Sequence, residues 1–142
     1  MSFQIALEVD DTWIEPVYEH VHHGRSLSLL ERGRIELLRS IGTPNDELLA
    51  RGLALVIVRI QVAYKREIVK GPVKVYCTAG ALRERSIILT QQVHNSRGKV
   101  AIDATVESMF MSSQTRRGLQ IPDDFRARFE SWIREDPTRA LD

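Results

Sequence analysis

Three histidines beside a helix start are the residues of this sequence best suited to chemistry. His20, His22 and His23 lie within residues 18–25, directly before an amphipathic segment that predicts a helix over residues 26–41. The backbone N–H groups and the positive dipole end at a helix start can stabilise an oxyanion. An imidazole can act as a general base near neutral pH. This arrangement therefore predicts a site where acyl transfer could take place.

The same helix carries a charged pair on its apolar side. Glu31 and Arg34 are three residues apart, and a helical wheel places Arg34 in the middle of the apolar stripe. Desolvating an isolated charge is costly, so Arg34 needs a partner. The pair is either an internal ion pair that orients the helix against a sheet or a sign that Glu31 belongs to the site. The predicted stripe consists of Leu27, Leu30, Leu37, Leu38 and Ile41.

The segments that must position these residues predict an α+β domain. Short links favour antiparallel neighbours, and the stripe of the helix must be buried against one face of the resulting sheet. Pro122 opens a final helix that runs to about residue 133, with acidic residues in its first turn. The predicted strands cover residues 4–9, 54–64, 73–82, 86–94 and 99–111.

The longest of these strands shows a period of two. Its last inward residue, Tyr64, is expected either in the core or lining an acyl pocket through its hydroxyl. The opposite side carries Arg59, Gln61 and Lys65, as expected of a solvated face. The predicted inner face consists of Ala54, Val56, Val58, Ile60, Val62 and Tyr64.

Composition limits the classes of protein that this chain can represent. With 142 residues, 43% of them hydrophobic, the sequence predicts one domain over residues 1–142. A formal net charge of +1 argues against non-specific nucleic-acid binding. The lone Cys77 excludes an internal disulfide, and no continuous apolar span or signal peptide is found. We therefore expect a soluble, cytoplasmic protein without membrane or nucleic-acid partners.

Neither a metal nor another cofactor is expected at the histidines. The pattern His-x-His-His on a turn lacks the helical spacing of a zinc protease site, and no cysteine cluster complements it.

Several stretches in order resemble one known family. Residues 20–23 (HVHH) and 31–39 (ERGRIELLR) resemble the GHVNN…FEEARIELLR signature of the 4-hydroxybenzoyl-CoA thioesterase-like, hotdog-fold family. Residues 64–66 resemble its Y-x-R motif, and residues 119–122 resemble its ending. The resemblance implies a sheet of about five strands wrapped around one long helix, with a C-terminal helix. It also implies a homodimer or homotetramer with sites between protomers.

The resemblance also implies roles for individual residues. Pro16 stands where the family usually has its catalytic aspartate. Either Glu15 or Glu19 supplies a carboxylate through a rearranged loop, or no carboxylate acts and the rate comes from an oxyanion hole alone. His23 matches a histidine of one branch of the family, with its N–H as the oxyanion donor and its ring as a base. His20 matches the family's loop histidine, with a mainly structural role beside the substrate.

The expected activity is hydrolysis of a thioester of coenzyme A or acyl carrier protein, without a cofactor. Glu31 is a further candidate, because some thioesterases of this fold use a carboxylate from this helix. The alternative is a hotdog domain that binds an acyl thioester or another hydrophobic ligand without hydrolysing it. No pattern supports a dehydratase of the same fold. The phosphates of coenzyme A would suit arginines in predicted loops, namely Arg83, Arg85, Arg116 and Arg117.

Overall fold

The computed structural model describes residues 3–135 and confirms the α+β architecture. The helices are α1 (His23–Ser40), α2 (Asn45–Ala50) and α3 (Asp123–Glu135), and a 3-10 turn covers Asp11–Trp13. The strands are β1 (Phe3–Val9), β2 (Ile14–Glu15), β3 (His20–Val21), β4 (Leu53–Tyr64), β5 (Gly71–Leu82), β6 (Ser86–His94), β7 (Val100–Ser112) and β8 (Gly118–Leu119).

The main sheet is antiparallel, with strand order β1-β5-β6-β7-β4. Strands β5, β6 and β7 form the meander that their short links predict. Strand β4 pairs with β7 at the far edge, so the connection over residues 65–70 leads from β4 to β5 across the sheet. The short strand β8 pairs with the end of β7, whereas β2 and β3 form a separate hairpin before α1.

Helix α1 packs on one face of the sheet. Gly33 permits the close approach, because an added Cβ would lie 2.7 Å from Cγ1 of Val75. Leu29 is buried in the stripe, whereas Leu27 is 36% exposed, so the predicted stripe is wrong at that residue. The reason is rotational, since the buried face centres near Ser26 and Gly33, and Leu27 lies about 100° from Ser26 around the helix. No helix within residues 3–135 has both the length and the apolar character needed to span a bilayer.

The core has two parts along α1. The first lies under the beginning of α1 and includes Leu29 and Leu30 with strand residues such as Val75 and Ile102. The second lies under its end, where Leu37 and Leu38 meet side chains from the sheet and from α3. The α3 contribution consists of Phe125, Phe129 and Ile133.

Strand β4 differs from its predicted alternation. A bulge shifts the register against β7 between Ile57 and Arg59. Leu53 and Leu55 pack against the core before the bulge, and Val62 packs against it afterwards. An extra residue exchanges the two faces of a strand. The inner face predicted through Ala54, Val56 and Val58 is therefore wrong, and Val58 is 50% exposed.

Candidate active site

The β2–β3 hairpin carries the first histidine to the start of α1. Glu15 pairs with His20 across the hairpin, and the Nδ1 atom of His20 lies 2.9 Å from the carbonyl oxygen of Val21. The N–H of Val21 donates to the carbonyl oxygen of Ile68 at 2.8 Å. This bond joins the hairpin to the 65–70 connection, so residues distant in sequence meet beside the first turn of α1.

The second histidine caps the helix. The Nδ1 atom of His22 accepts a hydrogen bond from the N–H of Gly24 at 3.0 Å, and the His22 carbonyl accepts from the N–H of Ser26 at 3.0 Å. The first N–H groups of a helix have no acceptor within it. The cap does not use the N–H groups of His23 and Arg25, which leaves donors for an anion at this end.

The third histidine is held through its carbonyl group. The hydroxyl of Tyr64 donates to the His23 carbonyl oxygen at 3.0 Å, and Oγ of Ser26 donates to the same oxygen. The rings of His23 and Tyr64 meet edge to face, with centroids 6.4 Å apart. Because Tyr64 is 51% exposed, its placement in the core is wrong, and the structure places it on the wall of a cavity instead.

A cavity of about 340 Å³, here called the His23 cavity, opens at this point. It brings together three of the predicted site residues, His20, His23 and Tyr64. No group of three or more His, Cys, Asp or Glu side chains within residues 3–135 is arranged to hold a metal. The remaining lining residues are Val21, Ser26, Lys65, Arg66, Glu67, Ile68 and Ile102.

The two predicted loop carboxylates lie on the hairpin but are not part of the cavity lining. Oε1 of Glu15 accepts a hydrogen bond from the N–H of Val17 at 2.9 Å, whereas its buried Oε2 has no hydrogen-bond partner within the described residues. Glu19 is exposed and has a left-handed backbone with φ of 59°. The structure therefore does not bring either carboxylate to the wall formed by His23.

Glu31 and Arg34 line a different space, a cavity of about 120 Å³ between α1 and the sheet, here called the interior cavity. Nη1 of Arg34 donates to Oε1 of Gln91 at 2.9 Å, and Nε2 of Gln91 donates to the Leu30 carbonyl at 2.9 Å and to Sγ of Cys77 at 3.2 Å. The hydrogen-bond partner of Arg34 is therefore Gln91, and the predicted ion pair with Glu31 is wrong.

Burial sets the protonation behaviour of this cluster. Desolvation lowers the pKa of Arg34, although the neighbouring Cys77 and Glu31 act in the opposite direction. Desolvation raises the pKa of the Cys77 thiol from 9.0 to about 11, against the smaller effects of Gln91 and Arg34. The thiol is therefore neutral and buried at physiological pH.

The loop arginines lie at the other end of the sheet. Arg83 is near the start of β6, where its Nη1 lies 3.6 Å from Oε2 of Glu107, and Arg116 is in the turn between β7 and β8. Tyr64 pairs with Ile102 near the opposite end of β7. At the rise of a strand, Ile102 lies about 17 Å from Glu107, beside Arg83, and about 33 Å from Ser112, beside Arg116. None of the four loop arginines of a chain lines the His23 cavity of that chain; the four are Arg83, Arg85, Arg116 and Arg117.

Sequence reasoning missed several residues that line the His23 cavity. The sequence indicated Arg66 only as part of a motif, Lys65 in that motif and on a solvated strand face, and neither Ser26 nor Glu67 as a site residue. The spacing of acidic and basic residues over 65–67 is that of an ordinary solvated loop. Two hydrogen bonds, from Val21 to Ile68 and from Tyr64 to His23, bring this loop to the helix start.

Comparisons with known proteins agree with this architecture. Among curated proteins, the long-chain acyl-CoA thioesterase FadM of Escherichia coli (strain K12) is 26% identical over 124 residues, covering 83% of this chain and 90% of that protein. A hypothetical protein of Staphylococcus aureus, solved in complex with CoA, superposes with a TM-score of 0.88 at 17% identity, covering 96% of this chain and 87% of that one.

A second solved structure has the same fold. The DHNA-CoA thioesterase from Staphylococcus aureus superposes with a TM-score of 0.83 at 16% identity, covering 97% of this chain and 91% of that one. The family model for the thioesterase-like superfamily matches residues 7–129, which is most of the chain. This chain therefore belongs to the thioesterase-like superfamily.

Proposed function

We propose that this protein hydrolyses acyl-CoA thioesters in the His23 cavity. One observation carries the proposal: the start of α1, with amides that its cap does not use, opens into a cavity beside an imidazole ring and a tyrosine hydroxyl. A thioester carbonyl placed there would have donors for the negative charge that develops on its oxygen. Such preorganised donors contribute much of the rate in acyl transfer.

The residues at the helix start have different roles in the proposed reaction. The N–H of His23 holds the oxyanion, and the His23 ring accepts or returns protons beside it. Tyr64 and Ser26 both donate to the His23 carbonyl, which fixes the first peptide of α1 before substrate binds. This fixed geometry reduces the reorganisation needed in the transition state.

The cavity lining also suits the two ends of an acyl-CoA. Val21, Ile68 and Ile102 offer apolar surface to the acyl group, and Lys65 and Arg66 offer positive charge to phosphates. The name of FadM and the CoA complex of the Staphylococcus aureus protein support CoA as the carrier. A thioester of acyl carrier protein is the second carrier to test.

We also propose that two chains pair along β4. This strand is the edge of the sheet, and its middle exposes Ile57 and Val58. A long apolar edge is stabilised by pairing with another strand. Antiparallel pairing about a two-fold axis would set the Leu53 end of one β4 beside the Tyr64 end of the other. It would thereby bring Arg116 of the partner subunit towards the His23 cavity.

Thiol release from a panel of acyl-CoA and acyl carrier protein thioesters tests the activity. We expect turnover with at least one acyl-CoA. Because Cys77 is buried as a neutral thiol, a disulfide reagent that detects CoA should give little background. Binding of every thioester without thiol release would instead identify a ligand-binding domain.

Light scattering at micromolar concentration tests the assembly. We expect the mass of a dimer or tetramer. A mass near the 16.2 kDa of one chain would contradict the pairing of β4 edges.

A further inference from the structure

The proposed hydrolysis needs a group that takes a proton from water, and the usual position does not supply one. Pro16 has no proton acceptor in its side chain, and neither Glu15 nor Glu19 lines the His23 cavity. We propose that Glu67 is the carboxylate that activates the attacking water. This assignment rests on the proposed thioesterase activity and deepens it by naming a catalytic residue.

Glu67 is the only carboxylate within residues 3–135 that lines the His23 cavity. Its backbone is held on both sides, because the N–H of Arg66 donates to the Ala101 carbonyl at 3.2 Å and the Ile68 carbonyl accepts from Val21. The side chain of Ile68 is packed into the core, with only 4% of its surface exposed. The position of Glu67 on the cavity wall is therefore set by the fold.

The side chain of Glu67 is available for a ligand although two cations precede it. Lys65 lies 3.6 Å from Oδ2 of Asp103, and Nη1 of Arg66 donates to the Val100 carbonyl at 2.7 Å. Within the described chain, Glu67 forms no ion pair shorter than 4.0 Å and is exposed. An acceptor-only carboxylate of this kind can orient a water molecule.

Addition of water to a carbonyl group needs a base and oxyanion donors at different sides of that group. The attacking water approaches the face of the carbonyl, whereas the oxyanion donors lie around its oxygen. His23 belongs to α1, and Glu67 belongs to the β4–β5 connection, so donors and base come from different elements of one cavity. This separation is what general base catalysis requires here.

The reaction balances without any further reactant. Glu67 accepts a proton from water as the water oxygen bonds to the carbonyl carbon, and the oxyanion is held at the start of α1. When the carbonyl reforms, the carbon–sulfur bond breaks, the His23 ring returns a proton to the thiolate, and Glu67 passes its proton to that ring. The products are a carboxylic acid and the free thiol, and Glu67 is again ionised.

The test compares Glu67→Gln with the parent on the thioester that the parent hydrolyses best. We expect kcat to fall about a hundredfold, with little change in KM, because only the proton acceptor is lost. Glu8→Gln is the matched control, since Glu8 is also an exposed glutamate and lies on β1. It should retain the parental rate, and circular dichroism should show all variants folded.

Glu67→Ala with added formate gives a second measurement. A small carboxylate that enters the vacated space should restore part of the rate, which a purely structural role would not allow. Parental kcat in Glu67→Gln would overturn the assignment while leaving the thioesterase activity intact. A larger loss in Glu15→Gln, Glu19→Gln or Glu31→Gln would also overturn it. Absence of thiol release by the parent would overturn both proposals.

Discussion

The His23 cavity and the interior cavity both border α1, but their polar groups differ in whether they have partners within the chain. Arg34 on the wall of the interior cavity is hydrogen-bonded to Gln91 behind it, which also contacts the Leu30 carbonyl and Cys77. At the His23 cavity, the N–H groups of His23 and Arg25 and the Glu67 carboxylate have no such partners within the described residues. The first arrangement stabilises the fold, whereas the second is ready for a ligand.

The presence or absence of internal partners distinguishes structural residues from candidate site residues within one stretch of sequence. Both His23 and Arg34 belong to segments that resemble one family signature, and both are chemically active types. Only their surroundings distinguish them, because a buried charge with a satisfied hydrogen bond resists exchange with a ligand. Substitutions in the interior cavity should therefore change stability, and substitutions at the His23 cavity should change turnover.

The largest effect on stability is expected from Gln91→Leu. Gln91 is 1% exposed and accepts the hydrogen bond of a largely desolvated guanidinium. Loss of that acceptor should lower the free energy of unfolding by about 2–3 kcal/mol. Urea unfolding measures it, with Gln61→Leu on the exposed side of β4 as the control. A large loss of kcat in the folded variant would contradict the separation of the two cavities.

His23→Ala should have the next largest effect, this time on turnover. Removal of the ring should lower kcat/KM by about tenfold or more, equivalent to about 1.4 kcal/mol, because an acid–base group is lost while the backbone N–H remains. His94→Ala on β6 is the control, since His94 lies outside the His23 cavity. Full activity in a folded His23→Ala protein would leave only the backbone donor with a role.

The sequence predicts the strands and the long helix well because they depend on local periodicity, but it misplaces the start of α1. The helix was predicted over residues 26–41, whereas it begins at His23. The imidazole of His22 provides the cap through Nδ1. Histidine is not among the usual caps, so local preference does not identify it.

The site itself depends on contacts that have no local signal. Gln91 lies 57 residues from Arg34. Glu67 lies near the helix start because hydrogen bonds at Ile68 and Tyr64, on either side of it, join this segment to Val21 and His23. The bulge in β4 likewise depends on pairing with β7. The family resemblance predicted the fold and the thioesterase class, and the family match confirms both. Which carboxylate lines the His23 cavity could be seen only in the structure.

Tyr64→Phe should have a smaller effect at the His23 cavity. The substitution removes one hydrogen bond to the His23 carbonyl, worth about 1 kcal/mol, and leaves the ring in place. We expect kcat to fall about threefold as the helix start loosens. Tyr76→Phe is the control, because Tyr76 contacts His94 on a different part of the sheet. Equal kinetics for Tyr64→Phe and the parent would show that Ser26 alone fixes this carbonyl.

The smallest effect concerns the buried Cys77, which contacts Gln91 beside the interior cavity, at alkaline pH. Burial raises the pKa of Cys77 from 9.0 to about 11, so the folded protein favours the neutral thiol. The resulting stability is fully present below pH 9 and is lost as the pH rises towards 11, because the unfolded chain ionises first. Between pH 7 and pH 9 the loss should be under about 1 kcal/mol. Comparing the pH slopes of urea unfolding for the parent and Cys77→Ala isolates the contribution of Cys77 ionisation to the free energy of unfolding, because the cavity left by the substitution has the same cost at each pH.

The accessibility of Cys77 gives a second measurement. A thiol reagent should label Cys77 only after unfolding. Rapid labelling of the native protein would show that the buried cluster of Arg34, Gln91 and Cys77 opens readily, and the contrast between this cluster and the His23 cavity would then no longer hold.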